Sequence, residues 1–203
     1  DAPENPRRSR VERRNRDSNV MAAAIAVMSQ RGYAATSVQE IADRVGVLKG
    51  SLYHYFSSKE ELLFRILQES HAEADRIADD VAAQDLPPYE ELLEYLGHIS
   101  RWFLRNVDRA HIYFNESRHL TGSMRKEMQQ LGRQFVDHPQ ALIAGAQEQG
   151  SVATDMSAAI LAEYVLGALN SIRDWPTRLG KQYNVDQMAD AFVELTRRSL
   201  QKP

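Results

Sequence analysis

The chain reads as all-α. Apolar residues recur three and four positions apart through nearly every segment, the spacing that gives an α-helix one buried face. Alternation of polar and apolar residues, the mark of a half-buried strand, is not visible at useful length. The interruptions are glycines, prolines and capping residues spaced about a helix apart, with no repeat or low-complexity run.

Residues 1–12 hold two prolines and many charges and are expected to be a mobile basic arm. From Arg13 the pattern turns helical, with Val20, Ala24, Val27 and Met28 on one face and a stop at Arg31-Gly32. Ser37 and Glu40 then form a capping-box pair ahead of Val38, Ile41, Ala42 and Val45. Gly46 can take the left-handed conformation that ends this short helix. A second short helix is expected from about Lys49 to Tyr55. "SSKEELL" opens a long helix, capped by Ser57 with Glu60 or by Ser58 with Glu61. Pro87-Pro88 breaks the chain, and helices are expected at 89–106, 108–119, 122–149, 156–175 and 185–200. The expected units are the arm, a three-helix head over 13–57, and a larger helical domain over 58–203.

Composition narrows the function classes. The chain has 203 residues, 43% of them hydrophobic, enough for a substantial core. Charges interrupt every hydrophobic stretch, so no membrane span is expected, and the basic run Arg7 to Arg16 leads into no apolar segment of a secretory signal. The absence of cysteine excludes disulfides, thiol catalysis and thiolate metal sites, and fits a reducing cytoplasm. Residues 1–60 carry 10 Lys and Arg against 7 Asp and Glu, whereas the remainder carries 15 against 21. A basic head on an acidic body suggests a polyanion partner for the head alone.

Two short helices joined by a glycine turn and packed on a preceding helix describe a helix-turn-helix, whose second helix can enter the major groove of duplex DNA. That explains the composition of "GVLKGSLYHYF", Gly46 to Phe56. Leu52 and Phe56, four apart, face inward. Ser51, Tyr53, His54 and Tyr55 offer hydroxyls, an imidazole and aromatic faces, and Gly50 removes bulk where backbone must come close. Lys49 stands at the helix start, where a cation opposes the helix dipole unless an anion is bound.

The stretch "TSVQEIADRVGVLKGSLYHYFSSKEELL" resembles the DNA-binding module of the TetR family of bacterial transcriptional regulators, over about Arg13 to Leu67. The resemblance implies a ligand-responsive regulator, most often a repressor, that binds a palindromic operator in double-stranded DNA as a homodimer in the bacterial cytoplasm, associated with the nucleoid. It implies phosphate contacts from Thr36, Ser37 and Lys59, and groove contacts from Lys49, Gly50, Ser51, Tyr53, His54 and Tyr55. Arg13 and Arg14, at the base of the arm, join this set. Leu48 departs from the pattern, since a capping Ser or Thr is common there. Activators occur in the family, so the sign of regulation is open.

In the larger domain, Ile160, Tyr164, Ala168 and Ile172 form one stripe beside another of Leu161, Val165 and Leu169, and the last helix carries Met188, Phe192 and Leu195. By the resemblance, Ile160, Tyr164, Ala168, Ile172, Met188, Phe192 and Leu195 form the dimer interface. "RWFLRNVDRAHIYFNESRHL" mixes Trp102, Phe103, Tyr113 and Phe114 with Glu116 and Arg118, a composition suited to a small-molecule cavity. Tyr164, Asn170 and Arg173 are expected to complete it. "GSLYHYF" and "YFNESRHL" together are similar to the branch of the family controlling lipid and sterol breakdown, which implies an acyl-CoA or another lipid metabolite as effector.

The rival readings are an enzyme and a helical interaction protein that binds no DNA. Glu116-x-x-His119 has the spacing of a di-metal helical site, but the chain holds no second such pair, nucleophile motif or phosphate loop. No catalytic residue, metal or cofactor is therefore expected. An interaction protein would leave the chemistry of Lys49 to Tyr55 unexplained.

Overall fold

The computed structural model describes Pro6 to Gln201, with side chains from Asn15 onward. Residues 1–5 of the expected arm lie outside the described residues. The described chain is helical throughout, without strands among the described residues. Helix α1 spans Pro6–Arg31, α2 Val38–Val45 and α3 Lys49–Leu52. The start of α1 corrects the expected start at Arg13. Proline suits a first turn because its missing amide hydrogen would have no helical partner there and its φ is already near helical.

Helix α4 spans Lys59–Ala82, α5 Pro88–Arg105, α6 Val107–Glu116 and α7 Gly122–Glu148. Helix α8 spans Ala158–Ser171, α9 Trp175–Leu179 and α10 Val185–Leu200. The expected break at Trp175-Pro176 is instead a helix start, again because proline is tolerated in a first turn. The two capping alternatives for α4 resolve in favour of Ser58, whose hydroxyl accepts from the Glu61 amide. None of the described helices is long and apolar enough to cross a membrane.

Two apolar cores result. The head core joins Val20, Ala24, Met28, Ile41, Leu52 and Phe56 to Leu62, Leu63, Ile66 and Leu67 of α4. It also takes in Ile112 of α6, Leu120 and Met128. The body core begins at Ala74, Ile77 and Val81, farther along α4, and is filled by α5, α7, α8 and α10. Helix α4 therefore serves both cores: its first half packs with the head and its second half with the body. Each fully buried leucine of α4 contributes about 1.5–3 kcal/mol.

In α7, Pro139 lies inside the helix. Its missing amide leaves the Phe135 carbonyl, four residues earlier, without its helical donor.

Gly46, at the C-terminus of α2, has φ 79° and sets the turn into α3. A Cβ there would meet nothing within 4 Å, so only backbone conformation opposes substitution. Gly46→Ala is expected to cost about 1–2 kcal/mol by urea denaturation; an unchanged midpoint would contradict this account of the turn.

Candidate functional site

The head places α3 on its outer surface. Leu52 and Phe56 are buried, at 0% and 2% exposure, and pin the segment. Outward from them, Lys49, Gly50, Tyr53 and His54 are exposed, whereas Ser51 and Tyr55 are half-buried. The helix is shorter than expected: it ends at Leu52, and Tyr53 to Tyr55 continue as a turn. The Tyr55 side chain packs against the head core and its carbonyl accepts from Arg65 at 2.9 Å. Arg65 in turn pairs with Asp17 at 2.8 Å, tying α4 to α1.

Helix α2 carries the expected capping box. The Ser37 hydroxyl accepts from the Glu40 amide at 3.2 Å, and Glu40 accepts from the Ser37 amide at 2.8 Å. These bonds, with help from Arg31, hold the Glu40 carboxyl below its usual pKa. Ser37 is exposed, with its amide and hydroxyl both engaged in the cap.

Two expected phosphate contacts are placed differently. Thr36 is buried and its hydroxyl donates to the Gly32 carbonyl at 2.8 Å, so that side chain does not face a duplex. The Lys59 ammonium donates to the carbonyls of Tyr33 at 2.9 Å and Thr36 at 2.7 Å, and lies 4.3 Å from the Tyr33 ring centroid. Two of its three N–H donors serve the loop between α1 and α2. Arg13 and Arg14 belong to α1 by backbone, and their side chains lie outside the described ones.

That same loop is gripped from the body. Glu116, at the end of α6, accepts from the Tyr33 amide at 3.2 Å. His119 lies 3.2 Å from the same carboxylate oxygen and stacks on the Tyr33 ring at 5.1 Å. Gly32 belongs to the fit: it has φ 77°, and a Cβ there would lie 3.5 Å from Glu116. Glu116 was expected in the ligand cavity; it is instead a tie between body and head, and the Glu116–His119 pair serves that junction.

The body holds a cleft of about 400 Å³ between the end of α6 and α7, lined by Tyr113, Phe114, Ser117, Arg118, Arg125 and Gln129 among others. Arg125 donates to the Arg118 carbonyl at 2.9 Å. Behind Tyr113 and Phe114 sits a closed aromatic cluster. Trp102, Phe103, Phe114 and Phe135 meet His71 there around about 10 Å³, no more than a single water-sized probe needs. Phe103 and Phe114 meet edge to face at 5.5 Å. His71 is 2% exposed, and its Nδ1 lies 3.2 Å from the Tyr113 hydroxyl. Its Nε2 lies 3.4 Å from Asp75 but makes no hydrogen bond. Burial pushes the Tyr113 phenol up to about 12.

Four expected cavity residues, Trp102, Phe103, Tyr113 and Phe114, thus converge, with Arg118 at the mouth. Arg173 lies behind Phe114, its guanidinium 5.0 Å from the ring centroid, and is held by Asn170. Tyr164 does not belong to the cavity, being 60% exposed on the outside of α8. His71, Phe135 and Arg125 were missed. His71 sits in a segment that reads as an acidic surface helix, and Phe135 comes from α7, a different helix from Phe114.

The expected dimer face divides. Ile160, Tyr164 and Leu195 are about 60% exposed, and Ala168 is half-buried. Ile172, Met188 and Phe192 are instead buried in the chain's own core. Ile172 follows the end of α8 in a 3₁₀ turn, whose tighter winding departs from the stripe. On α10 the Met188–Phe192 stripe packs toward the body core, leaving Leu195 outside.

Residues 20–66 match the profile described as bacterial regulatory proteins, tetR family, and residues 85–200 that of a tetracyclin repressor-like C-terminal domain. The chain is 26% identical over 193 residues to the transcriptional repressor KstR2 of Rhodococcus jostii, covering 93% of this chain and 92% of that protein. The ketosteroid transcriptional regulator KstR2 of Mycobacterium tuberculosis superposes with a TM-score of 0.85 at 22% identity, over 93% of this chain and 96% of that one. AibR, solved with isovaleryl coenzyme A and operator DNA, gives 0.78 at 27% identity, over 89% and 97%.

The two lysines at helix starts should behave differently. Lys59→Met leaves the Thr36 carbonyl without this donor and the Tyr33 carbonyl with only the Thr36 amide, and is expected to lower unfolding free energy by about 1–3 kcal/mol in urea, whereas Lys49→Met should stay within about 0.5 kcal/mol. Equal effects would contradict the assignment. Burial lowers the pKa of His71, against a weaker opposing effect of Asp75, and burial lowers that of His138 likewise. The unfolded chain therefore takes up protons first as pH falls, and stability should decline below about pH 6.5. His71→Phe should shrink that decline in thermal midpoints between pH 7.5 and 5; an unaltered profile would show that His71 does not contribute.

Proposed function

Because the chain belongs to the TetR family of bacterial regulatory proteins, we propose that it is a homodimeric repressor releasing a palindromic operator when an acyl-CoA thioester enters its body. Its relative in Rhodococcus jostii is named a transcriptional repressor, which supports regulation rather than catalysis as the chain's activity. The observation that carries the reading is the outward face of α3. Lys49, Gly50, Tyr53 and His54 stand exposed on a segment that Leu52 and Phe56 hold rigid, inside a head of the family's pattern. In a dimer built across Ile160, Tyr164 and Leu195, two such segments enter successive major grooves about 34–36 Å apart.

The cleft supports the effector class. Arg118 and Arg125 at its mouth suit phosphates, and the aromatic cluster behind suits an acyl chain. AibR, a relative of the same fold, is described with both isovaleryl coenzyme A and operator DNA. The closed cluster cannot admit a chain without displacing Phe114 or its neighbours. Phe114 rides on α6, and α6 also carries Ile112 into the head core and Glu116 onto the Tyr33 amide. Opening the cluster therefore moves the support of the head. The ligand weakens DNA binding by the ratio of its affinities for the two arrangements.

An operator can be obtained by selecting duplexes from a random pool on the full-length protein. Electrophoretic shifts with an acyl-CoA series should then show release by at least one member. Arg118→Ala with Arg125→Ala should raise the acyl-CoA concentration needed by at least tenfold while leaving the ligand-free DNA affinity within about twofold. A reporter that falls rather than rises when the effector is added would reverse the sign to activation, and enrichment of no duplex at low salt would defeat the reading.

A further inference from the structure

We propose that Leu48 reads the C5-methyl group of a thymine in each operator half-site, an inference that rests on the DNA-binding reading of the head. Leu48 is 81% exposed, the most exposed large apolar side chain among the described residues. Ile160 and Tyr164 of α8 and Leu195 of α10, also exposed, are assigned to the dimer interface. Leu48 lies instead on the head, between Val47 and Lys49, at the cap position of the segment assigned to the groove. A serine or aspartate there would accept a hydrogen bond from the first turn of α3, but Leu48 makes no side-chain cap. The position thus forgoes a local stabilising bond and keeps an aliphatic group in water.

Base edges in the major groove present hydrogen-bond donors and acceptors, with one apolar feature, the thymine methyl. An isobutyl group at the groove-facing start of α3 gains nothing from the polar edges and removes apolar area from water against that methyl. The surroundings allow the approach. Leu48 is extended, with φ −70° and ψ 140°, and neighbouring Gly50 has open space where a Cβ would stand. Lys49 beside it is exposed and free to meet phosphate. Leu48 is therefore a specificity residue, favouring thymine over a pyrimidine that lacks the C5-methyl group.

The test uses the full-length protein and a duplex selected from a random pool. Each thymine is replaced in turn by deoxyuridine, which removes the methyl and keeps the Watson–Crick edge. At one thymine per half-site the replacement should weaken binding about fourfold, the equivalent of one buried methyl. Leu48→Ala and Leu48→Ser should bind the thymine and deoxyuridine duplexes equally. The serine variant restores a cap, so a fault in folding cannot account for lost discrimination there. Discrimination that persists in both variants, insensitivity to deoxyuridine at every position, or a selected site without thymine would overturn the inference while leaving DNA binding intact. Failure to enrich any duplex would overturn the DNA-binding reading and this inference with it.

Discussion

The loop between α1 and α2 is held from two sides, and the rest of the architecture turns on that grip. From α4, the Lys59 ammonium binds the carbonyls of Tyr33 and Thr36. From α6, the Glu116 carboxylate binds the Tyr33 amide. A charge-assisted bond of this kind contributes about 1.5–3 kcal/mol. The contacts are modest beside the buried leucines of α4, but they are directional, and they fix where α2 and α3 stand relative to the body. Arg65 of α4 adds directional ties to the Tyr55 carbonyl and to Asp17 of α1.

This arrangement explains why one helix serves two cores. The first half of α4 completes the head core, and the second half completes the body core. A helix transmits displacement along its length because its backbone bonds resist local deformation. Helix α6 lies against both: Phe114 belongs to the aromatic cluster, whereas Ile112 belongs to the head core. The closed cluster and the set position of the head are thus two aspects of one packed state. Filling the cluster would disturb both, since a close-packed interior takes up a new group by rearranging.

Much of the head was legible in the sequence because its determinants are local. The Ser37–Glu40 box, the Gly46 turn and the inward pair Leu52 and Phe56 depend on residues within a few positions of each other. The helical body was legible from periodicity. The grip of Lys59 on the loop is not legible in the sequence, because its partners lie 26 and 23 residues earlier, beyond any spacing rule. The tie made by Glu116 is hidden for the same reason, its partner lying 83 residues away. The apolar stripe of α10 announced burial without saying against what: Met188 and Phe192 turned to their own chain, and Leu195 did not. His71 escaped notice because a buried imidazole in a charge-rich helix leaves no periodic sign.

If occupancy of the body moves the heads through the Glu116–Tyr33 tie, the spacing of the two heads reports it. The chain holds no cysteine, so His54→Cys introduces one spin-label site per protomer at the end of the exposed α3 segment. Electron–electron resonance then reads the distance between the two heads of a dimer. An acyl-CoA whose binding is confirmed by calorimetry should shift that distance distribution, and Glu116→Ala should abolish or shrink the shift without abolishing ligand binding. A bound ligand that leaves the distribution unchanged, or a shift that survives in full without Glu116, would contradict the account.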